Sequence, residues 1–240
     1  MTALFATGLA LAGRLRTTEL SLEGAQSVAL VGPNGGGKTS FLRALAGVED
    51  AVGDVFIHGE LLRDVGEARR RTLVSFLPAS RDLAWPITAR DAIALGLAGQ
   101  DEEQITAMLK LFEITELAER AINRLSTGER SRVLLARALV ASPKVVLLDE
   151  PLAHLEPYWV LRVSDILHDL ADKGVLVLTA IHDLHLIQDF ERVLLIANGA
   201  IQLNESPTDL ISNPLFEEIF RITSAPGGWT IKPADQQSLP

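Results

Sequence analysis

A glycine-rich segment that directly follows a short apolar run constrains the fold of this chain more than any other feature. The segment reads G-P-N-G-G-G-K-T from Gly32 to Thr39, and the apolar run is residues 28–31. Such a β-branched, apolar run predicts a buried strand, and residues 39–47 predict a helix that ends at Gly47. The pattern G-x-x-x-x-G-K-T binds phosphate when a strand precedes it and a helix follows. The alternative, a glycine-rich turn with a surface lysine, is disfavoured by these flanking elements.

The residue types of this loop suit a nucleoside triphosphate and its metal ion. Glycines allow successive backbone N–H groups to point inward around a β-phosphate. Lys38 is predicted to reach the β- and γ-phosphates, Thr39 to bind Mg²⁺ through its hydroxyl, and Ser40 to contact the α-phosphate. The predicted phosphate-binding residues are therefore Gly32, Pro33, Asn34, Gly35, Gly36, Gly37, Lys38, Thr39 and Ser40.

A second apolar run, residues 145–148, ends in the two carboxylates of Asp149 and Glu150. Ligands of parallel α/β sheets bind at the carboxyl ends of the strands, so both carboxylates are predicted to face the phosphate loop. Asp149 is predicted to hold Mg²⁺ through water, and Glu150 to polarise the attacking water as a general base. Taken alone, this segment would be interpreted as a strand that ends in a solvated acidic turn.

A third motif, residues 125–129, reads L-S-T-G-E and precedes an apolar helix. Ser126 and Glu129 have the spacing of a capping box. A helix start presents free backbone N–H groups and a partial positive charge, which suit a phosphate. Ser126, Thr127, Gly128 and Glu129 therefore predict a second anion-binding site, which an enzyme with one phosphate loop does not need.

Strand and helix patterns alternate along most of the chain, which predicts an α/β fold with a parallel sheet and helices on its faces. The pattern is helical over residues 88–140 and interrupts this alternation. After two short helices, near residues 207–211 and 214–220, the polar end of the chain is predicted to fray. The predicted division is one domain of residues 1–240, with a core of residues 1–79 and 142–205, a helical subdomain of residues 80–141 and an extension of residues 206–240.

The composition excludes several functions. The chain of 240 residues has no cysteine, so disulfides and cysteine-bound metals are excluded. The formal net charge of −9 argues against a nucleic-acid-binding surface. Apolar residues make up 48% of the chain, but the longest apolar runs are far too short to cross a bilayer. The apolar start lacks the basic residues of a signal peptide and lies close to the phosphate loop, so it is interpreted as part of the fold.

Together the three motifs resemble those of the ATPase subunits of ABC transporters, and the resemblance covers nearly the whole chain. G-P-N-G-G-G-K-T-S is similar to the Walker A loop, L-S-T-G-E to the signature motif and V-V-L-L-D-E-P to the Walker B strand. The resemblance implies the ABC ATPase fold: a P-loop NTPase parallel-sheet core with an N-terminal antiparallel β portion and an inserted helical subdomain. It also implies hydrolysis of ATP with Mg²⁺.

The segment T-A-I-H-D, which contains His182, looks like the switch-histidine segment of the family. In the family this histidine contacts the γ-phosphate, so the resemblance implies that role for His182. A single histidine after a strand is more often structural, but its position after the Walker B strand favours the functional role.

The resemblance implies that the function requires other chains. Two copies, or two similar subunits, are expected to form a head-to-tail dimer in which residues 126–128 of one subunit close over the ATP bound by the other. Closing and opening are expected to move membrane-spanning permease subunits. A substrate-binding protein is expected as a further partner, and no nucleic acid is expected. The chain is expected in the cytoplasm, peripheral on the inner face of the cell membrane.

Three positions depart from the pattern of the family. Ala79 follows Pro78 where the Q-loop usually carries a glutamine, which helps to ligate Mg²⁺ and links the site to the transporter. Two hypotheses follow: hydrolysis or its coupling is weakened, or a neighbour such as Ser80 substitutes. Glu156 stands where the D-loop usually ends in aspartate, and Glu129 stands where the signature motif more commonly has glutamine.

The residue that stacks on adenine is not evident. The segment between Leu9 and Leu20, where the family is expected to place an aromatic residue, contains none. Arg14 and Arg16 offer guanidinium planes that can stack on a base. The alternative is that both arginines are solvated.

A finer resemblance concerns the transported cargo. Residues 83–96 and 214–220 are similar to the matching stretches of importer ATPases for iron-siderophore, haem, cobalamin and zinc or manganese. Import of a metal chelate or metal ion is therefore expected. The alternatives are a soluble ABC ATPase that acts on DNA or ribosomes, and a regulatory subunit with low turnover. The soluble classes carry a very long coiled coil or usually two ATPase domains, whereas a compact helical block and one ATPase domain are expected for residues 1–240.

Overall fold

The computed structural model describes residues 2–80, 86–225 and 228–232. The strands are β1 (Thr2–Leu11), β2 (Leu15–Glu23), β3 (Ser27–Val31), β4 (Val52–Ile57), β5 (Glu60–Leu61), β6 (Val74–Leu77), β7 (Val145–Asp149), β8 (Leu176–Ala180), β9 (Arg192–Ala197), β10 (Ala200–Glu205), β11 (Ile222–Ala225) and β12 (Gly228–Ile231). The helices are α1 (Lys38–Leu45), α2 (Glu67–Leu73), α3 (Ala89–Ala94), α4 (Glu102–Leu111), α5 (Thr127–Leu139), α6 (Pro157–Asp172), α7 (Pro207–Ile211) and α8 (Pro214–Phe220). Shorter 3₁₀ helices cover Thr115–Leu117, Ile122–Arg124 and Leu184–Asp189.

A six-stranded sheet with the strand order β10-β9-β3-β8-β7-β6 forms the centre of the fold. Neighbouring strands are parallel except β9 and β10. Every residue of β3, β7 and β8 is buried, which is typical of parallel strands that are covered on both faces. Leu30 of β3 and Asp149 of β7 both pair with Ala180 of β8. The carboxyl ends of three neighbouring strands therefore lie at one edge of the sheet, and the predicted α/β class is confirmed.

An antiparallel sheet with the order β2-β1-β4-β5 lies beside this core. Leu4, Leu9 and Ile57 from this sheet share one buried cluster with Phe41 of α1 and Leu147 of β7. The apolar start of the chain therefore forms β1, as predicted. Burial of apolar side chains between the two sheets is the main force that joins them.

The helical block is built from short helices rather than long ones. Ile105, Leu109 and Phe112, which have helical spacing in the sequence, are buried in one cluster with Ile93 and Leu135. Helix α4 ends just before Phe112, and two 3₁₀ turns lead from it to α5. Residues 83–85, which belong to the stretch that resembles importer ATPases, lie outside the described residues. Among the described residues, no helix has both the length and the apolar character needed to cross a membrane.

The end of the described chain forms a hairpin. Helices α7 and α8 lie where short helices are predicted, but the predicted fraying is wrong for residues 222–225 and 228–231, because β11 pairs with β12. Phe216 is fully buried, and its ring centroid lies 5.4 Å from that of Trp229. Contact between large aromatic side chains of this kind stabilises a segment that is otherwise polar.

Candidate nucleotide site

A cavity of about 680 Å³ lies at the carboxyl edge of the parallel sheet. The loop after β3, Glu150 after β7 and His182 after β8 all contribute to its wall, because these three strands are neighbours. Three segments that are distant in the sequence thus meet around one cavity, as the predicted site requires. The described residues that line it are Gly13, Arg14, Leu15, Arg16, Asn34, Gly35, Gly36, Gly37, Lys38, Thr39, Ser40, Glu150, His182, Asn198 and Gly199.

The glycine-rich loop is packed so closely that two of its residues have no room for a side chain. A Cβ atom at Gly32 would lie 2.0 Å from the carbonyl oxygen of Ile196, and one at Gly36 would lie 2.9 Å from that of Pro33. Gly37 is the N-cap of α1 and has no side chain to cap the helix. The backbone N–H groups at the start of α1 are therefore available to an anion.

Lys38 is held inside the loop. It is only 7% exposed, and its Nζ donates hydrogen bonds to the carbonyl oxygens of Gly32 at 2.7 Å and Pro33 at 3.2 Å. Burial lowers the pKa of Lys38, while the negative charges of Glu150 and Asp149 oppose this effect. An ammonium group in this position is close enough to the loop to bind phosphate oxygens with charge-assisted hydrogen bonds.

Asp149 is buried, and it lies behind the cavity wall rather than among the lining residues. Burial raises the pKa of Asp149, while the nearby Thr39 hydroxyl and the nearby backbone N–H of Ala79 oppose the rise. Thr39 itself lines the cavity. Thr39 and Asp149 therefore bring a hydroxyl and a carboxylate together, and such oxygen ligands are the ones that Mg²⁺ prefers.

Glu150 and His182 form a pair at the cavity. Oε1 of Glu150 lies 2.6 Å from Nε2 of His182, and the side chains are 31% and 46% exposed. Glu150 has a left-handed backbone with φ 54°, which is unfavourable for a residue with a side chain and occurs often at active sites. Its backbone N–H donates to the carbonyl oxygen of Ala180 at 3.1 Å, which fixes the residue at the sheet edge. A carboxylate held in this way can accept a proton from water.

Sequence reasoning missed the turn of Asn198 and Gly199, which completes the cavity wall. These residues have φ values of 52° and 71° and connect β9 to β10 as a two-residue hairpin turn. An Asn-Gly pair between apolar runs is a strong hairpin signal and would have located the turn. Its place at the site depends on tertiary contacts, since the N–H of Gly199 donates to the carbonyl oxygen of Gly36 at 3.0 Å.

Arg14 and Arg16, the two candidates for stacking on adenine, both line the cavity but differ in their contacts. Arg14 forms an ion pair with Glu49 at 3.4 Å. Within the described residues, the guanidinium of Arg16 has neither an ion pair nor a hydrogen bond, while its backbone N–H donates to the carbonyl oxygen of Gly199 at 2.7 Å. No aromatic side chain is among the described lining residues. Arg16 is therefore the guanidinium that is available to cover a base.

The predicted capping box at the start of α5 is confirmed. The Oγ of Ser126 accepts the N–H of Glu129 at 3.3 Å, and Oε2 of Glu129 accepts the N–H of Ser126 at 2.8 Å. This second hydrogen bond lowers the pKa of Glu129. The described residues that line the cavity include none of residues 126–129, and Ser126 and Thr127 are exposed. The second helix start is therefore separate from the cavity of its own chain.

The positions that depart from the family pattern lie in different surroundings. Ala79 contacts Asp149 through its backbone N–H. Ser80 lines a separate groove of about 500 Å³ and is not among the residues that line the nucleotide cavity, which disfavours it as a substitute for glutamine at the metal. Glu156 is the N-cap of α6, and its side chain makes no capping hydrogen bond.

A glycine-rich loop between a buried strand and a helix, with an aspartate and a glutamate at the end of a nearby parallel strand, defines a P-loop nucleoside triphosphatase. The family model described as ABC transporter matches residues 15–153, which is more than half of the chain. The chain therefore belongs to the ABC transporter family, and it is an ATP-binding, ATP-hydrolysing subunit of that family.

Named relatives and solved structures agree with this assignment. The hemin import ATP-binding protein HmuV of Mesorhizobium japonicum is 32% identical over 209 residues, which is 80% of either chain. The protein of that name from Nocardia farcinica is 33% identical over 86% of this chain and 75% of its own. The cobalamin import ATP-binding protein BtuD of Halobacterium salinarum is 30% identical over 86% of this chain and 55% of its own.

Two solved structures share the fold and confirm the predicted ABC ATPase architecture. One is an ATP binding subunit of an ABC transporter, with a TM-score of 0.80 at 20% identity, and the match covers 91% of this chain and 98% of that chain. The other is a dimeric ATP-binding cassette bound to ADP and Pi, with a TM-score of 0.75 at 22% identity, and the match covers 85% of this chain and 98% of that chain.

Proposed function

We propose that this chain hydrolyses ATP to power the import of a metal chelate through a membrane permease. Relatives named for the import of hemin and of cobalamin support this class of cargo, because both compounds are metal ions chelated by a large organic ring. The cargo does not reach the ATPase, so its class follows from the relatives and not from a residue of this chain.

The meeting of Lys38, Glu150 and His182 around one cavity is the observation that carries the proposed chemistry. The backbone N–H groups of the glycine-rich loop and the ammonium of Lys38 bind the phosphates. Glu150 accepts a proton from the attacking water, and His182 contacts the γ-phosphate. The 2.6 Å contact between Glu150 and His182 keeps the carboxylate that acts as the base next to the imidazole that contacts the γ-phosphate.

Thr39 and Asp149 fit a magnesium ion. Thr39 brings a hydroxyl to the cavity, and Asp149 is a buried carboxylate close to that hydroxyl. Oxygen ligands of this kind suit Mg²⁺, with Asp149 acting through a water molecule. When bound, the ion neutralises charge on the phosphate oxygens.

Gly128 supports a head-to-tail dimer. Glycine is a poor helix former, yet it occupies the first turn of α5. A Cβ atom at Gly128 would meet nothing closer than the carbonyl oxygen of His154 at 3.7 Å, which is ordinary van der Waals contact. The fold of the single chain therefore does not require glycine here. The close approach of a partner's γ-phosphate to Ser126, Thr127, Gly128 and Glu129 does require it.

The groove of about 500 Å³ beside Ser80 supports a permease contact. It is lined by apolar side chains such as Phe76 and Leu95, and Leu95 is 50% exposed. Arg137 also lines it, and no carboxylate among the described residues pairs with that guanidinium. Burial lowers the pKa of Arg137, and the charge of Arg71 adds to this effect. A permease segment with apolar and acidic side chains fits this groove.

Such docking places the chain on the inner face of the cell membrane, as a peripheral subunit in the cytoplasm. Import further implies a substrate-binding protein that delivers the cargo from outside. The net charge of −9 gives no support to a nucleic-acid partner.

A comparison of wild-type protein with Glu150→Gln tests the proposed role of Glu150 in ATP hydrolysis. The wild type is expected to hydrolyse ATP with Mg²⁺, whereas the variant binds ATP and does not turn over. Equal turnover in the two proteins would contradict the role of Glu150.

Co-purification with a permease, followed by ATPase stimulation in proteoliposomes by hemin, cobalamin or a ferric siderophore, tests the cargo class. Stimulation by none of these chelates would contradict it.

A further inference from the structure

The C-terminal hairpin β11–β12 packs against the segment that follows His182. The 3₁₀ helix Leu184–Asp189 begins two residues after His182. Apolar residues of this helix belong to the same buried cluster as Phe216 of α8 and Trp229 of β12. A hairpin at the far end of the chain therefore contacts a segment next to the catalytic edge of the sheet.

The contact between hairpin and helix is centred on His185. The ring centroids of His185 and Trp229 are 6.5 Å apart. At the adjacent Gly228, a Cβ atom would lie 2.9 Å from Cε1 of His185, so the backbone of the hairpin directly adjoins the imidazole. Phe216 contacts the indole as well, with ring centroids 5.4 Å apart. The indole is thus held between α8 and the 3₁₀ helix.

The hairpin is itself fixed to α8. Thr223 of β11 donates a hydrogen bond to Oε1 of Glu217, and Lys232, which follows β12, forms an ion pair with the same carboxylate at 3.4 Å. The backbone N–H of Lys232 also donates to the carbonyl oxygen of Arg221 at 3.0 Å. Both strands are therefore tied to the helix that precedes them, and the hairpin can hold a neighbour in place.

Short contacts lead from the hairpin to His182. Oδ1 of Asp183 accepts the backbone N–H of His185 at 2.9 Å, which joins the residue after His182 to the one that Trp229 contacts. Ile181, on the other side of His182, is buried in the cluster that includes Trp229. The two neighbours of His182 are therefore both held by structure that the hairpin completes, and the imidazole meets Glu150 at 2.6 Å.

We propose that this hairpin is a brace that sets the position of His182 against Glu150, with Trp229 as its positioning residue. The brace rests on the proposed ATP hydrolysis, and it adds the requirement that residues 222–225 and 228–232 be present for full turnover. Loss of the indole releases the 3₁₀ helix and displaces the imidazole, and a misplacement of about 1 Å lowers turnover by as much as about 100-fold. ATP binding depends on the glycine-rich loop and Lys38, so it is unchanged.

Trp229→Ala tests the brace, with Ile231→Ala as the matched control on the same strand. The side chain of Ile231 is 80% exposed, so its removal leaves the contact with His185 in place. We expect Trp229→Ala to lower kcat by at least about tenfold with KM for ATP within about twofold. Ile231→Ala should keep the wild-type values, and Trp229→Phe should keep most of kcat because it retains a ring. An unchanged kcat in Trp229→Ala would overturn the proposal.

A double variant separates positioning from a general loss of structure. In a His182→Ala background, measured by single turnover, Trp229→Ala should cause little further loss, because residues that act as a unit are not additive. A further loss as large as in the wild-type background would overturn the brace.

Amide hydrogen exchange over residues 181–189 gives a readout that needs no hydrolysis. Exchange should be faster in Trp229→Ala than in the wild type and unchanged in Ile231→Ala. Equal exchange in all three proteins would overturn the brace. Faster exchange in Trp229→Ala combined with an inactive wild type would instead contradict the proposed hydrolysis while supporting the brace.

Discussion

Gly128, in the first turn of α5, faces the carbonyl oxygen of His154, which lies in the loop between β7 and α6, and a side chain at position 128 would be in ordinary van der Waals contact with that oxygen. If Gly128 carried a Cβ atom, the nearest atom outside its own helix would be the carbonyl oxygen of His154, at 3.7 Å. At Gly32, by contrast, a Cβ atom would lie 2.0 Å from the carbonyl oxygen of Ile196. The packing of the chain therefore requires glycine at position 32 but not at position 128, and the proposed contact with a partner's nucleotide is what would require it there.

This difference predicts opposite effects for two alanine substitutions. Gly128→Ala should keep or slightly raise Tm, since alanine improves helix propensity by up to about 1 kcal/mol. It should lower ATPase turnover by at least about tenfold, because the added methyl group hinders the close approach of the partner's γ-phosphate to the backbone N–H donors at the start of α5. Gly32→Ala should lower Tm. Thermal unfolding and steady-state turnover measure both effects. Full turnover in Gly128→Ala would contradict the shared site.

Asp149 is predicted to reduce the stability of the nucleotide-free protein. Burial raises the pKa of its carboxyl above the ordinary value of 3.8, so the folded chain binds this proton more tightly than the unfolded chain. The resulting stability is present at low pH and is lost as pH rises from 3.8 through the folded pKa. We therefore expect Asp149→Asn to raise Tm at neutral pH without nucleotide.

Melting curves over a range of pH check this expectation. The difference in Tm between Asp149→Asn and wild type should widen as pH rises from acid to neutral. The variant should also lose the extra stabilisation that Mg²⁺ adds to bound ATP, because it lacks the carboxylate. A lower Tm for Asp149→Asn at neutral pH would show that the carboxylate stabilises the fold.

Arg16 is predicted to contribute to binding of the base. Arg16→Ala should raise KM for ATP about two- to fivefold, which corresponds to a cation–π contact of about 0.5–1 kcal/mol. Arg14→Ala is the matched control and should have a smaller effect, because the ion pair with Glu49 holds that guanidinium. Steady-state kinetics over a range of ATP concentrations measure both variants. A larger effect for Arg14→Ala would assign the base contact to that residue.

Ala79→Gln should raise the ATPase rate. The backbone N–H of Ala79 contacts Asp149, so a glutamine at this position would bring an amide oxygen to the magnesium region. We expect an increase of about tenfold, which is the lower end of the effects of groups that surround a metal site. Ser80→Gln is the control, since Ser80 lines the groove and not the cavity. An unchanged rate and unchanged coupling in Ala79→Gln would contradict the hypothesis that alanine weakens hydrolysis.

Features that depend on nearby residues could be predicted well. The capping box of Ser126 and Glu129 is confirmed because it needs only residues three positions apart. The contact between Glu150 and His182 could not be derived from spacing, since it requires β7 and β8 to be neighbours. The hairpin β11–β12 was missed because two four-residue strands carry a weak pattern and depend on the contact between Trp229 and Phe216.

The residues of the chain are sufficient to identify the phosphate loop, the paired carboxylates and the second helix start, because each motif places its chemistry within a few positions. Folding adds the relations between them. Strand order brings Lys38, Glu150 and His182 to one cavity, and the helix start of Ser126 remains outside it. Packing of the hairpin then places Trp229 next to the segment of His182. These relations arise from burial and strand pairing between distant segments, which no local pattern encodes.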